Sequence, residues 1–156
     1  GYTSDAEYMD ILLFHQVESI IDDLNTYLPV GVAVLEVEWH KGRIESVTSQ
    51  IAAIKQQILL EEIPDEMSLE KLKQNFEQKN NVYIKRERKQ RVISLDIKVY
   101  IQSIEIKGNS LEVVTLVQNG KGIRLNEFLP AFFEVPIESL PIHTVKREAV
   151  FMNFTG

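Results

Sequence analysis

The sequence predicts an α+β fold, and three observations lead to it. Two stretches, 17–28 and 68–80, carry apolar residues at helical spacing. Around them run short segments that are apolar either continuously or at every second position, the pattern of strands. Turn residues mark the boundaries, at Pro29, Gly31, Gly42, Gly108, Gly120 and Gly122.

In chain order, Tyr8-Met9-Asp10-Ile11-Leu12-Leu13-Phe14 reads as the core of a strand over 7–14. Val17, Ile20, Ile21, Leu24 and Leu28 then form the apolar stripe of a helix, with Glu18, Asp22 and Asp23 opposite. Pro29 cannot continue the hydrogen-bond ladder and Gly31 relaxes the backbone, so the helix stops there. Ala33, Leu35, Val37 and Trp39 alternate with Glu36, Glu38 and His40, predicting a half-buried strand over 32–40 with an acidic outer face. Residues 46–60 fit both a helix begun by Ser46 and a strand; the order of elements favours a strand over 51–60. Ser68 is expected to cap a helix through Asn80, with Leu69, Leu72 and Phe76 buried. A strand over 81–88 follows.

These six segments give a β-α-β-β-α-β order, that of a ferredoxin-like module spanning 1–90. The remainder, 91–156, predicts a partial β-β-α-β module packed with the first as one unit. Ile93, Leu95, Ile97, Val99 and Ile101 share one strand face, and Ser94, Asp96, Lys98 and Tyr100 the other. The parity then switches to Ile104 and Ile106, which requires a bulge near Gln102-Ser103. Gly108-Asn109 closes a hairpin onto a strand over 111–117, and Asn119-Gly120-Lys121-Gly122 is a second turn. Asn126 is expected to cap an apolar helix holding Phe128, Leu129, Phe132 and Phe133, before a last strand over 144–152.

At 156 residues, 44% apolar and 26% charged, the chain is that of a globular domain. No apolar run approaches the roughly 20 residues that cross a bilayer, so no membrane is expected. The polar, acidic opening implies no signal peptide, and a cytoplasmic setting is expected. With no cysteine, the chain has no disulfide, no thiolate-held cluster or zinc, and no thiol nucleophile. His15, His40 and His143 lie in unrelated segments without ligand spacing. No nucleophile–base–orienter pattern is present either, so no catalytic residue, metal or cofactor is assigned and enzymatic activity is not expected. Gly120-Lys121-Gly122 lacks the glycine register of a phosphate loop and reads as a tight turn.

Charge is unevenly spread. Residues 1–78 carry 5 Lys/Arg against 15 Asp/Glu, whereas 79–124 carry 10 against 4. The basic run centres on 85–91, with Tyr83 before it and Lys98 and Tyr100 after it. Cations that neutralise phosphates beside rings that stack on bases suit single-stranded nucleic acid. The candidate contact set is Tyr83, Lys85, Arg86, Arg88, Lys89, Arg91, Lys98, Tyr100, Lys121 and Arg124. An ordinary solvated hairpin, or a basic half facing the chain's own acidic half, gives the same pattern.

Gly1-Tyr2-Thr3-Ser4-Asp5-Ala6-Glu7-Tyr8-Met9-Asp10 and Asn25-Thr26-Tyr27-Leu28-Pro29-Val30-Gly31 resemble two landmarks of the radical-SAM-linked domain family of unknown function. Asp96, Gly122-Ile123-Arg124 with Glu127, and Arg147 resemble its later ones, although Leu125 stands where the family often has proline. The resemblance implies an accessory domain whose own activity is not established, and a fragment lacking the family's histidine-bearing N-terminal region. The expected function is therefore a non-catalytic accessory domain, binding RNA through 83–100 and associated with a radical-SAM modification system. The alternative is a protein-interaction domain that recruits or regulates a radical-SAM enzyme through strand edges or the 128–133 helix. A third possibility is an enzyme whose active site the missing region completes, which would need a pocket lined by carboxylates and histidines.

Overall fold

A strand exists only when a neighbour takes up its backbone groups, and this decides which of the strand-like segments form strands here. The computed structural model describes residues 2–61, 66–88 and 91–152. Its elements are β1 (Tyr2–Ser4), α1 (Ile20–Tyr27), α2 (Val47–Gln50), β2 (Ile51–Leu60), α3 (Glu66–Gln78), β3 (Tyr83–Arg88), β4 (Arg91–Asp96), β5 (Ile101–Lys107), β6 (Ser110–Leu116), α4 (Leu125–Phe133) and β7 (Ile142–Met152). Short 3-10 turns lie at Lys98–Tyr100 and Ile137–Ser139. The fold is α+β, as expected.

Five strands form a mixed sheet in the order β1-β7-β2-β6-β5, while β3 and β4 form a separate two-stranded sheet. β2 pairs antiparallel with both β6 and β7, so residues from either side of position 90 share one sheet. One face of this sheet bears the core. Ile58 and Leu60 of β2, Leu111 and Val113 of β6 and Ile104 of β5 pack there with Leu69 and Phe76 of α3. Phe128, Leu129, Phe132 and Phe133 of α4 complete the cluster. Phe76 meets Phe128 edge-on, with ring centroids 5.6 Å apart.

The opposite face is polar. Glu112 sits directly across from Glu105, a pairing that would repel if left alone. Lys55 Nζ lies 2.9 Å and Lys107 Nζ 2.8 Å from the Glu112 carboxylate. The hydrogen bond from Lys107 and that from Lys55 hold the Glu112 carboxyl below its usual range, against the opposing effect of burial.

Several expectations are met closely. The register shift between Ile101 and Ser103 supplies the bend that the parity switch required. Gly108 has φ 59° in the turn joining β5 to β6. Asn119 (φ 52°) and Gly120 (φ 67°) form the left-handed pair of a two-residue hairpin turn, closed by Gln118 and Lys121. The 46–60 ambiguity resolves into both forms, four residues of helix running straight into β2.

Other expectations are corrected. Residues 7–14 and 32–40 form no strand, because no described residue pairs with them. The side chain of Asn25 instead holds Val34, donating to its carbonyl at 3.1 Å and accepting from its N–H at 2.7 Å. Of the four strands assigned to the ferredoxin-like module, 51–60 alone joins the large sheet, and 81–88 belongs to the separate hairpin. The strand expected to run through 93–101 breaks after Asp96, whose carboxylate accepts from Lys98 N–H at 3.1 Å and turns the chain. Helix α3 begins at Glu66, placing Ser68 inside it. Helix α4 has Arg124, not Asn126, at its N-cap, since Glu127 accepts the Arg124 N–H at 2.8 Å.

Phe128→Ala should cost about 3–5 kcal/mol in denaturant unfolding, because it empties the centre of the ring cluster. Leu35→Ala, by contrast, should stay within about 0.5 kcal/mol.

Candidate functional site

The β3–β4 hairpin alternates its side chains between two faces. Ile84 and Leu95 are directly paired and pack toward the core. Arg86 lies two positions further along on that same inward face. Its Nε donates to Glu127 Oε1 and its Nη2 to Glu127 Oε2, both at 2.6 Å, and Nη2 also donates to the Gly122 carbonyl at 2.9 Å. The Arg86 side chain is 23% exposed and that of Glu127 15%, so water screens the pair little. Burial pushes the Glu127 carboxyl up, but the Arg86 guanidinium and the Arg124 N–H outweigh it and leave the carboxyl below the usual range. The hydrogen bond to Glu127 likewise raises Arg86.

A second clasp closes the base of the hairpin. Asp96 accepts from Asn81 Nδ2 at 2.6 Å, from Val82 N–H at 3.0 Å and from Lys98 N–H at 3.1 Å. The Asn81 hydrogen bond is the largest reason why its carboxyl is held down. The last turn of α3 has no basic residue of its own. Lys98 Nζ supplies one, donating to the carbonyls of Phe76 at 2.9 Å and Glu77 at 3.1 Å. It also stands 4.9 Å from the Phe76 ring centroid.

The ten candidate residues therefore separate. Arg86 and Lys98 are engaged inside the fold, and Tyr100 is half-buried on a 3-10 turn rather than on a strand beside Tyr83. Tyr83, Lys85, Arg91, Lys121 and Arg124 are exposed. Among the described residues, Lys85, Arg91 and Lys121 make no ion pair. The side chain of Arg88 and all of Lys89 lie outside the described residues.

Arg147 and the start of the 1–10 landmark meet near β1. Arg147 of β7 pairs with Glu7 at 2.6 Å, and its guanidinium carbon lies 5.9 Å from the Tyr2 ring centroid. Lys146 meets Asp5 at 2.6 Å, and Asp5 N–H donates to the Arg147 carbonyl at 2.9 Å. Asp10 accepts the N–H of Val47, the first residue of α2, at 2.9 Å.

Sequence reasoning missed a second surface. Leu12 is 95% exposed, Phe14 105%, Val30 106% and Leu35 84%, with Met9, Tyr27 and Val32 also outside. Of these, Met9, Leu12, Phe14, Val32 and Leu35 were expected on strands because their pattern is that of strands; the pattern does not reveal whether a partner strand is at hand. The 128–133 helix, offered above as a docking element, is instead the core. Clefts lie on two sides of the α3–α4 layer. One, of 190 Å³, lies beside Phe76, Glu77 and Lys98. The other, of 350 Å³, is mainly apolar and lies between α4, β7 and Tyr2. No three His, Asp or Glu side chains among the described residues gather as a metal-holding group, and no described helix is long and apolar enough to cross a membrane.

Because the folded Glu127 carboxyl titrates below its unfolded value, its stabilisation is present above about pH 4.3 and is lost as pH falls through the lower folded value. Thermal unfolding from pH 6 to pH 2 should show Glu127→Gln already weakened by about 3 kcal/mol at pH 6. The gap to the parent should narrow as acid protonates Glu127.

No curated protein and no solved structure matches the chain. A family of bacterial proteins, described as an uncharacterized protein conserved in bacteria (DUF2344), matches residues 1–126. That span holds the hairpin with Arg86, the Asp96 clasp and the exposed apolar segment, ending one residue before Glu127, and the chain belongs to this family.

Proposed function

We propose that this chain is a non-catalytic accessory domain that docks onto another protein in the cytoplasm, using its acidic, apolar segment 8–44. The exposure of Leu12, Phe14, Val30 and Leu35 in one stretch carries this reading. Burying each such side chain is worth roughly 1.5–3 kcal/mol. A domain with a closed core elsewhere that leaves several of them in water has the makings of an interface. The resemblance to the radical-SAM-linked family makes a radical-SAM enzyme the first partner to test. Segments 7–14 and 32–40 carry strand patterns and become strands on docking.

Co-expression of the tagged chain with such an enzyme should give nuclease-resistant co-purification. Leu12→Asp combined with Phe14→Asp should cut recovery about tenfold while leaving the unfolding temperature unchanged. Equal recovery from the double variant would rule this surface out.

RNA binding stands as a second reading, favoured by the outward placement of Lys85, Arg91, Lys121 and Arg124 with Tyr83. Four phosphate contacts predict a log–log salt slope of roughly −3 on single-stranded RNA. Lys85→Glu with Arg91→Glu and Arg124→Glu should abolish binding. Arg86 must be left intact in this test, because a glutamate there would face Glu127 and unseat the hairpin. An unchanged affinity in the triple variant removes the RNA reading.

A further inference from the structure

We infer that the docked partner is received by strand addition along residues 33–39, and that the incoming strand is apolar on one face and bears Lys or Arg on the other. This rests on the docking reading above and specifies the chemistry of what docks. Ala33, Leu35, Val37 and Trp39 alternate with Glu36, Glu38 and His40, so a strand here would have one apolar and one acidic face. His40 Nε2 lies 3.2 Å from Glu38 Oε1, which puts these two residues on the same side of the chain.

The backbone is already half prepared. The Asn25 amide takes both the N–H and the C=O of Val34, as a neighbouring strand would. Residues 35–41 make no backbone hydrogen bond among the described residues, which leaves a row of donors and acceptors open to a partner. Main-chain pairing supplies affinity in strand addition, and alternate side chains supply selection. Here the selection is electrostatic. Residues 8–40 hold six carboxylates and no Lys or Arg, so an acidic strand is repelled and a basic one attracted.

The test uses two synthetic peptides, an alternating Val–Lys octapeptide and its Val–Glu counterpart, titrated into the intact chain. Trp39 is the only tryptophan and lies within the segment, so its emission reports directly on the site. The Val–Lys peptide should shift that emission to the blue, slow amide exchange at 33–39, and bind about tenfold more tightly than Val–Glu. Glu36→Lys with Glu38→Lys, at exposed positions that cost the fold little, should reverse the preference. No response of Trp39 to Val–Lys, or protection confined to other residues, overturns strand addition. If co-purification nonetheless depends on Leu12 and Phe14, docking itself stands. If both measurements fail, docking goes as well.

Discussion

Beyond the Asp96 clasp at its base, the hairpin is held to the rest of the fold by one polar interaction, the doubly hydrogen-bonded contact between Arg86 and Glu127. Two strands alone are marginal in water. Ile84 and Leu95 give β3 and β4 a modest apolar footing on the core, but a footing of that kind does not fix orientation. The planar guanidinium does, because it must meet both carboxylate oxygens and the Gly122 carbonyl at once. Glu127 answers in two directions, holding Arg86 and the first turn of α4 through Arg124 N–H. Removing water from such a pair costs several kcal/mol per ion, which only full hydrogen bonding offsets. Here Glu127 accepts three hydrogen bonds, from Arg86 Nε, Arg86 Nη2 and Arg124 N–H.

From that constraint follows the division of the basic region. Once Arg86 faces inward, strand parity sends Tyr83, Lys85 and Glu87 outward. The excess of cations over carboxylates in 79–124 thus overstates the charge free to meet an outside anion. Arg86 belongs to α4, Lys98 to the end of α3, and Lys107 to Glu112. What remains outward is a smaller set near the hairpin and the 119–122 turn. A charge run in a sequence is a sum over faces, and the pleat decides which members count.

The elements legible in the sequence were those whose signal is complete in itself. Leu69, Leu72 and Phe76 at helical spacing, the Asn119-Gly120 turn and the Gln102-Ser103 bend all depend on local chemistry, and all are found. Ser68 and Asn126 misled because capping residues are common near helix starts; α3 already runs at Ser68, and α4 is capped by the reciprocal contact between Arg124 and Glu127. Segments 7–14 and 32–40 misled for a deeper reason. Alternation specifies that a strand can form; pairing decides whether it does, and pairing is not a local property. The Arg86–Glu127 contact was out of reach for the same reason, joining residues 41 positions apart.

The unpaired segments are where sequence and structure pull against each other. In a minimally frustrated chain, local preference and global fold agree, and disagreement concentrates where function is placed. Residues 8–14 hold an apolar, β-prone run with no neighbour among the described residues, while Asp10 spends its carboxylate on α2 and Glu7 on Arg147. The start of the run is thus anchored, and Ile11, Leu12, Leu13 and Phe14 are left in water. Asn25 holds Val34, anchoring one residue and leaving 35–41 without a backbone pair among the described residues. Two such segments in an acidic stretch, beside a core that needs neither, are the feature on which the docking proposal rests.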